Sequence, residues 1–346
     1  MAQYADTMKR SSRKQLASSA KRLLPWLGTG LLLGYLAWTT DLDTIANSLA
    51  EVSLPAILAL GFFGTLVTFV TDTWCVQLVL NHFVCKVTYR ETLPVKATSY
   101  FLNILNYNVA LVGMAFYLNR SKGAPFWKTL GSMFFLNVMD ILALCVLLGI
   151  GLIVNFDTDV LDIATTSVAW VIVGGGLIGF VAFMALFRLQ LPIPLVSRVY
   201  GWQILAPFRE VTPSIVVRFA LLRVLFLAQY LVTHVLFMWL FSVDVPLVGV
   251  LVYLPIFTFI QIVPISISGL GTTQLVMRHF YAPYVVGAAA TAAAVVDAAS
   301  TTAIFGFLIF RVIVAYLFLG DLSREVIQRA GNLKQASEQE EPTEAA

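Results

Sequence analysis

Residues 247–274 read "LVGVLVYLPIFTFIQIVPISISGLGTTQ" and join an apolar run to an uncharged polar break. The run over residues 247–262 has no charged side chain, as is typical of a helix inside a membrane. Residues 263–274 then bring a proline, two serines, two glycines, two threonines and a glutamine. Non-helical backbone at membrane depth needs protein or water around its polar groups. The stretch therefore predicts either a kinked helix or a polar site built inside the membrane.

The rest of the chain has the composition of an all-α polytopic membrane protein. Of its 346 residues, 59% are hydrophobic and 12% are charged, whereas about a quarter of the residues of a soluble domain are charged. Several apolar runs approach the ~20 residues that a helix needs to cross a bilayer. They do not alternate apolar and polar residues in segments of roughly ten, which excludes a membrane β-barrel.

Six apolar runs predict full membrane spans. They cover residues 23–39, 53–80, 128–154, 164–187, 214–241 and 285–319. Two further segments, 93–120 and 247–280, are interrupted, the first by "NILNYNVALVG" and the second by the polar break. Either both segments are re-entrant, entering and leaving on one side, or the chain has eight spans of which two are kinked.

The charges between these segments favour the re-entrant arrangement. Loops rich in Lys and Arg remain in the cytoplasm. The loop with Lys86, Arg90 and Lys96 and the connection with Arg120 and Lys128 are both basic, and they flank segment 93–120. Both stay inside only if that segment returns to the side it entered. We therefore predict a multi-pass protein of the cytoplasmic (inner) membrane, with its N-terminus and C-terminus cytoplasmic.

The same plan then occurs twice in opposite orientation, in residues 23–155 and 163–320. Each half has two spans, a re-entrant segment and a span, and paired broken segments point to a transport site. A shift of about 158 residues aligns Gly113 with Gly271, in the manner of an internal repeat. We predict a basic cytoplasmic arm (1–22), a transmembrane domain (23–320) with an inverted repeat, and a cytoplasmic tail (321–346) that is partly disordered.

Four ionisable residues are candidates for chemistry: Asp140, Arg223, Asp297 and Arg311. They belong to a set of seven in the predicted spans, which also includes Asp72, Arg218 and His234. A charge at membrane depth requires a partner or a water-filled cavity. The acids and arginines either pair to hold the helix bundle together or face a cavity for a lipid head group. In the second case the arginines bind phosphate through their planar fork of donors, and the acids are counter-charges or cation sites.

The two broken segments contribute uncharged polar groups to the predicted substrate site. The predicted lining residues are Asn103, Asn106, Asn108, Ser266, Ser268, Gly269, Gly271 and Gln274. A half-helix that starts near Thr272 would aim free N–H groups and its positive dipole end into the membrane. Such an end suits a phosphate or a carboxylate, although a plain kink remains the alternative.

Signals for catalysis are poor. The three histidines, His82, His234 and His279, show no metal-ligand spacing, and no G-x-S-x-G nucleophile motif occurs. A lipid-modifying enzyme would need Asp140, Asp297 and a histidine to converge on one cavity. We therefore predict no catalytic residue, no metal, no cofactor and no nucleic-acid partner.

These residues together resemble a known family, the transmembrane region of lysylphosphatidylglycerol synthases, which are flippase-like integral membrane proteins. That family characteristically carries "P-x-x-x-G-G-L-G-x-x-E", and residues 264–274 here read "PISISGLGTTQ". The similarity extends to "IFRVIVAYLFLG" at residues 309–320 and to "FLNILNYNVALVGMAFYLNRSKG" at residues 101–123, and covers roughly residues 20–320. Ser268 and Gln274 depart from the pattern, since a glycine and a glutamate are usual there.

The resemblance implies that the protein moves a lipid rather than making one, because the soluble aminoacyl-transferring domain of the bifunctional synthases is not in this sequence. We predict translocation of a phospholipid or a polyprenyl-phosphate-linked lipid through a polar cavity between the two inverted halves. The predicted partner is a membrane lipid with an anionic head group. The alternative is a non-catalytic membrane subunit that docks a separate lipid synthase or glycosyltransferase.

Overall fold

A computed structural model describes residues 50, 52–103, 107–155, 162–190, 197–262, 271–287 and 291–339. Within these ranges the chain forms ten α-helices and no β-strand. The helices are α1 (Leu54–Phe83), α2 (Tyr89–Asn103), α3 (Tyr107–Lys122), α4 (Phe126–Val154), α5 (Ile163–Leu189), α6 (Ala206–Glu210), α7 (Pro213–Leu240), α8 (Leu247–Ile262), α9 (Thr272–Tyr281) and α10 (Ala292–Gln339). The predicted basic arm and first span, residues 1–39, lie outside the described residues.

Five of these helices are long and apolar enough to cross a membrane. They are Leu54–Phe83, Phe126–Val154, Thr165–Leu189, Pro213–Leu240 and Ala292–Leu317. At about 1.5 Å per residue, even the shortest of them exceeds the ~30 Å of a bilayer core. Large apolar side chains such as Ile163, Val171 and Ile178 are exposed on their surfaces, as expected of helices that face lipid. These helices confirm the prediction of an integral, all-α polytopic membrane protein.

The first interrupted segment forms two short helices that pack against each other, α2 and α3. They have 15 and 16 residues, or roughly 22–24 Å each, which is too short to cross the bilayer core. Helix α2 starts four residues before the predicted segment because Thr88 and Glu91 form a reciprocal cap. The Thr88 N–H donates to the Glu91 carboxylate at 2.8 Å, and the Glu91 N–H donates to the Thr88 hydroxyl at 3.3 Å.

The second interrupted segment also forms two short helices in contact, α8 and α9. They have 16 and 10 residues, and the polar residues 263–270 between them lie outside the described residues. Helix α9 begins after Gly271, whose φ of 87° strongly favours glycine. The predicted half-helix starting near Thr272 is therefore confirmed as an element.

The last helix differs from its predicted bounds of 285–319. It begins at Ala292 and continues to Gln339, while Val285 instead forms an isolated antiparallel bridge with Val243. Gly287, with φ of 140°, cannot continue a helix in that conformation. The extension beyond residue 320 is rich in Glu, Gln, Arg, Lys and Ala, which are strong helix formers. The acidic end, residues 340–346, lies outside the described residues.

The described chain divides into two compact units. Of the described residues, one unit comprises those up to Ile57 and those from His234 to Ile304. The other, called here the larger unit, comprises those from Leu58 to Thr233 and those from Phe305 onward. In the larger unit, Phe83, Phe135, Phe208 and Phe219 are buried together as an aromatic cluster. Phe208 lies on α6, so the connection between α5 and α7 packs onto α4. The inverted repeat stays a prediction.

Candidate functional site

Four charged side chains meet inside the larger unit, on four different helices. Arg223 of α7 donates from Nη1 to Asp72 of α1 at 2.8 Å, and its Nε donates to Asp140 of α4. Lys96 of α2 lies 2.5 Å from the other oxygen of Asp72. We call these four residues the charge cluster. They join the short hairpin helix α2 to three of the membrane-spanning helices.

The charge cluster is removed from solvent. The side chain of Arg223 is 5% exposed, those of Asp72 and Lys96 are 11% and 12% exposed, and that of Asp140 is 20% exposed. Ions at such depth lose hydration, and each must recover it from an opposite charge and hydrogen bonds. Pairing of all four side chains meets that requirement, so the cluster holds α1, α2, α4 and α7 together.

An aromatic side chain connects the charge cluster to a fifth charge. The Lys96 Nζ lies 5.5 Å from the ring centroid of Tyr100, and the Arg311 guanidinium carbon lies 5.6 Å from the same centroid. The ring is itself fixed edge-on against Phe69 at 5.4 Å. Cations within about 6 Å of an aromatic face are attracted to it. Tyr100 therefore places a buried ring within cation–π distance of two positive side chains.

Arg311 of α10 differs from Arg223 in having no carboxylate partner among the described residues. Its side chain is half-buried and is directed at Tyr100, which is 6% exposed. With three cations and two carboxylates, the charge cluster and Arg311 together carry a formal charge of +1. An excess positive charge in an apolar surrounding attracts an anion, and the guanidinium fork is suited to phosphate or carboxylate.

The predicted residues are thus partly brought together. Arg223, Arg311 and Asp140 belong to one assembly in the larger unit, and Asn103 is half-buried at the end of α2, the helix that carries Lys96. Asn108 lies on α3, but its side chain is outside the described part of the structure, as are Asn106, Ser266, Ser268 and Gly269. Their predicted role in lining the site stays a prediction.

Asp297, Gly271 and Gln274 belong to the other unit. Asp297 accepts two hydrogen bonds from the guanidinium of Arg278 on α9. The Nε group donates to Oδ1 at 3.1 Å, and Nη2 donates to Oδ2. One turn earlier on α9, the Gly271 N–H donates to the side-chain oxygen of Gln274 at 2.6 Å. The acid that we predicted as a counter-charge therefore has its own arginine. Nearby, the hydroxyl of Thr273 is buried, and none of the described residues forms a hydrogen bond with it.

Four residues of these sites are absent from the predicted site residues: Asp72, Lys96, Tyr100 and Arg278. From the sequence, Lys96 is interpreted as a loop charge, whereas the structure places it about two turns into the short helix α2, beside Asp72. The signal for Arg278 was its position four residues after Gln274, on the same helix face. The signal for Tyr100 was its position four residues after Lys96.

A separate, exposed ion pair joins the start of α2 to the end of α3, and the two helices together are called here the α2–α3 hairpin. Lys122, in the last turn of α3, donates to the Glu91 carboxylate at the start of α2. This hydrogen bond and the backbone N–H of Thr88 lower the pKa of Glu91 to about 2. Glu91 thus remains ionised at any physiological pH, and the pair stays intact there.

Among the described residues, no group of three or more His, Cys, Asp and Glu side chains could hold a metal ion.

His234 is buried among aromatic side chains and shares a hydrogen bond of 2.9 Å with the Tyr281 hydroxyl. These features give the described chain ion-paired and cation–aromatic sites at membrane depth.

Comparison with known proteins agrees with this arrangement. Neither curated proteins nor solved structures gave a match to the chain. The family model described as the lysylphosphatidylglycerol synthase TM region matches residues 25–309, a range that includes the charge cluster, both interrupted segments and most of the membrane-spanning part of α10. The protein therefore belongs to the family of lysylphosphatidylglycerol synthase transmembrane regions.

Proposed function

We propose that this protein translocates a lipid with an anionic head group across the membrane, without modifying it chemically. Family membership supports a function connected with membrane lipids. Arg311 is the observation that carries the finer proposal. It is an arginine within a membrane span, and no carboxylate among the described residues neutralises it.

The charge of the head group follows from the chemistry around Arg311. Its guanidinium offers a planar fork of donors that matches two oxygens of a phosphate. Tyr100 holds the guanidinium inside the unit, where weak hydration strengthens an ionic hydrogen bond. A phosphate that binds there would reduce the excess charge of the assembly from +1 to zero. A zwitterionic head group would bring its own cation towards the positive side chains of Lys96 and Arg223, which would repel it. The site therefore favours an anionic lipid.

Lipid translocation by the purified protein tests this proposal. Proteoliposomes with a trace of fluorescent anionic phospholipid would be quenched from outside with dithionite, and the fraction that becomes accessible would be followed over time. Loss of a charge-assisted hydrogen bond amounts to about 1.5–3 kcal/mol, so Arg311→Ala should slow translocation by roughly 10- to 100-fold. Arg311→Lys keeps the charge and should lose less.

The matched control is Arg218→Ala. Arg218 lies on α7, five residues before Arg223, but its side chain is exposed, so translocation should keep its wild-type rate. Arg223→Ala is unsuitable as a first test because it would leave Asp72 and Asp140 buried without their shared cation. Equal rates for wild type and Arg311→Ala would refute the role of Arg311, and no translocation by wild type would refute the proposed function.

A second candidate function, docking of a separate lipid synthase or glycosyltransferase, is favoured by the length of α10. This helix has 48 residues, of which 26 form the candidate span, so 22 residues continue beyond it. At about 1.5 Å per residue, that extension is roughly 33 Å long, enough to contact a partner outside the bilayer. Deleting residues 321–346 should abolish co-purification of such an enzyme while lipid translocation persists. If the purified wild-type protein transferred a head group to lipid without any partner, both candidate functions would be contradicted.

A further inference from the structure

The guanidinium of Arg223 is shared unequally between its two carboxylates. Asp72 accepts from Arg223 at 2.8 Å and is also held by Lys96 at 2.5 Å. Asp140 has Arg223 as its only cationic partner among the described residues. Its side chain is also the most exposed of the four, at 20% compared with 11% for Asp72. Of the two carboxylates, Asp140 is therefore the one that is more easily displaced.

An anion that approaches Arg223 must compete with these carboxylates. The Nε and Nη1 groups already donate to Asp140 and Asp72, and the guanidinium carbon is stacked 4.2 Å from the ring centroid of Phe226, so the group has little freedom to turn. A phosphate would take the place of Asp140 rather than that of Asp72. A displaced carboxylate in a low-dielectric surrounding avoids a large desolvation cost by taking up a proton.

We propose that Asp140 binds a proton from water when the head-group phosphate displaces it from Arg223, so that one proton accompanies each anionic lipid. This inference rests on the proposed function. The proton forms an O–H bond on the Asp140 carboxylate and is returned to water when the lipid leaves and Arg223 pairs with Asp140 again. A lipid monoanion alone would bring the charge of the assembly from +1 to zero, and the proton that enters with it returns the charge to +1.

The groups that surround Asp140 are compatible with such an exchange. Arg223 faces it from α7, Asp72 and Cys75 from α1, and Lys96 from α2. On the helices packed against α4, the other charged or titratable side chains described are Tyr117, Arg120, Lys122, Arg188, Arg209 and Glu210. The charged members of that group lie near the ends of their helices. Whether Arg223 is paired with Asp140 therefore decides whether Asp140 is ionised.

Coupling of this kind makes lipid translocation depend on pH in a defined direction. Lower pH supplies the proton, so the rate should rise as pH falls, by up to about tenfold per pH unit when one proton is taken up. Glu91 cannot produce this dependence between pH 6 and pH 8, because its pKa of about 2 keeps it ionised throughout.

The test uses the full-length protein in proteoliposomes that contain a pH-sensitive dye and a fluorescent anionic phospholipid. For wild type we expect inward lipid movement to carry protons into the lumen and acidify it, and we expect this movement to accelerate as the pH falls from 8 to 6. Asp140→Asn keeps an oxygen that accepts from Arg223 but cannot exchange a proton. It should abolish the proton signal and flatten the pH dependence to less than about twofold. Glu91→Gln, outside the charge cluster, should retain the wild-type pH dependence.

Each outcome decides the inference separately from the proposed function. Wild-type lipid movement that is sensitive to Arg311→Ala but has no proton signal would overturn the coupling and leave translocation standing. The same would follow if Asp140→Asn kept the wild-type pH slope. If Asp140→Asn does not fold, Asp140→Glu should still couple, with its pH midpoint displaced, and an unchanged midpoint would count against Asp140. An identical proton signal in sodium-free and sodium-containing buffer excludes a metal cation as the coupled ion.

Discussion

Gln274 illustrates how a single residue can depart from a family pattern without losing its structural role. The family resemblance places a glutamate at this position, and the structure shows what the side chain does there: its oxygen accepts the Gly271 N–H at 2.6 Å. A glutamine oxygen can accept this hydrogen bond as a carboxylate does. With Gln274, the start of α9 is capped without adding a negative charge beside the Arg278–Asp297 pair.

Substitutions of Gln274 should therefore separate hydrogen bonding from charge. Gln274→Leu removes the acceptor and leaves a buried N–H unpaired, at a cost of about 1–3 kcal/mol. Gln274→Glu preserves the acceptor and, although this position is 2% exposed, should cost less than Gln274→Leu because a carboxylate near the start of a helix is favoured. Thermal unfolding in detergent, followed by intrinsic fluorescence, would compare the two variants. Equal melting temperatures for wild type and Gln274→Leu would contradict the capping role.

The charged residues show what the sequence could and could not predict at this scale. The cost of burying a charge was enough to single out Asp140, Arg223 and Arg311. Their partners were not predictable, since Arg223 meets residues that are 83 and 151 positions away. Such pairings depend on which helix faces meet, and apolar residues surround these positions on every side. The same uncertainty left structural pairing and head-group binding as alternatives, and the structure contains both a carboxylate-paired arginine, Arg223, and an arginine without a carboxylate partner among the described residues, Arg311.

At the level of elements, an ion pair between Glu91 and Lys122 joins the start of α2 to the end of α3 in the α2–α3 hairpin. The pKa of Glu91 is lowered from 4.5 to about 2, so the pair stabilises the folded state fully above pH 4.5 and loses that contribution as pH falls towards 2. Glu91→Gln should lower the melting temperature slightly at pH 7, and this difference should vanish near pH 2. A difference that persists unchanged at pH 2 would contradict this assignment.

Another element-level contact fixes the α5–α7 connection against α4. A Cβ atom on Gly131 of α4 would overlap the backbone carbonyl of Ile204, and backbone cannot turn aside as a flexible side chain can. Gly131→Ala should therefore destabilise the protein by about 1–3 kcal/mol. The matched control is Gly174→Ala on α5, where a Cβ would meet nothing within 4 Å. Thermal unfolding should show a loss for the first variant and none for the second.

For the whole molecule, the lengths of the apolar runs were sufficient to predict the helices that cross the membrane. Five of the six predicted spans are long apolar helices, and the sixth lies outside the described residues. Helix ends were less predictable, because the Thr88–Glu91 cap and the extension of α10 depend on polar residues that hydropathy does not register. The short helices α2 and α3 fit a re-entrant hairpin, which predicts the same side of the membrane for both of its ends.

Single cysteines at positions 86 and 123 test that topology, since these exposed residues precede α2 and follow α3. Cys75 and Cys145 are buried, so Cys85 is the native cysteine to replace. A membrane-impermeant maleimide should label both positions in inverted vesicles, where the cytoplasmic side faces outward, and neither position in intact cells. Labelling of the two positions from opposite sides would show that the segment spans the membrane.

The central claim is that an anionic head group binds beside Arg311 in the larger unit. A phospholipid with a photoreactive diazirine on an anionic head group can be cross-linked to the reconstituted protein, and the labelled peptides identified by mass spectrometry. We predict labelling of the peptides that contain Lys96, Tyr100 and Arg311. Unlabelled anionic lipid should reduce this labelling, whereas phosphatidylcholine should reduce it little or not at all. Arg311→Ala should reduce it strongly. Labelling confined to the lipid-exposed faces of the helices, and equal in wild type and Arg311→Ala, would contradict the account.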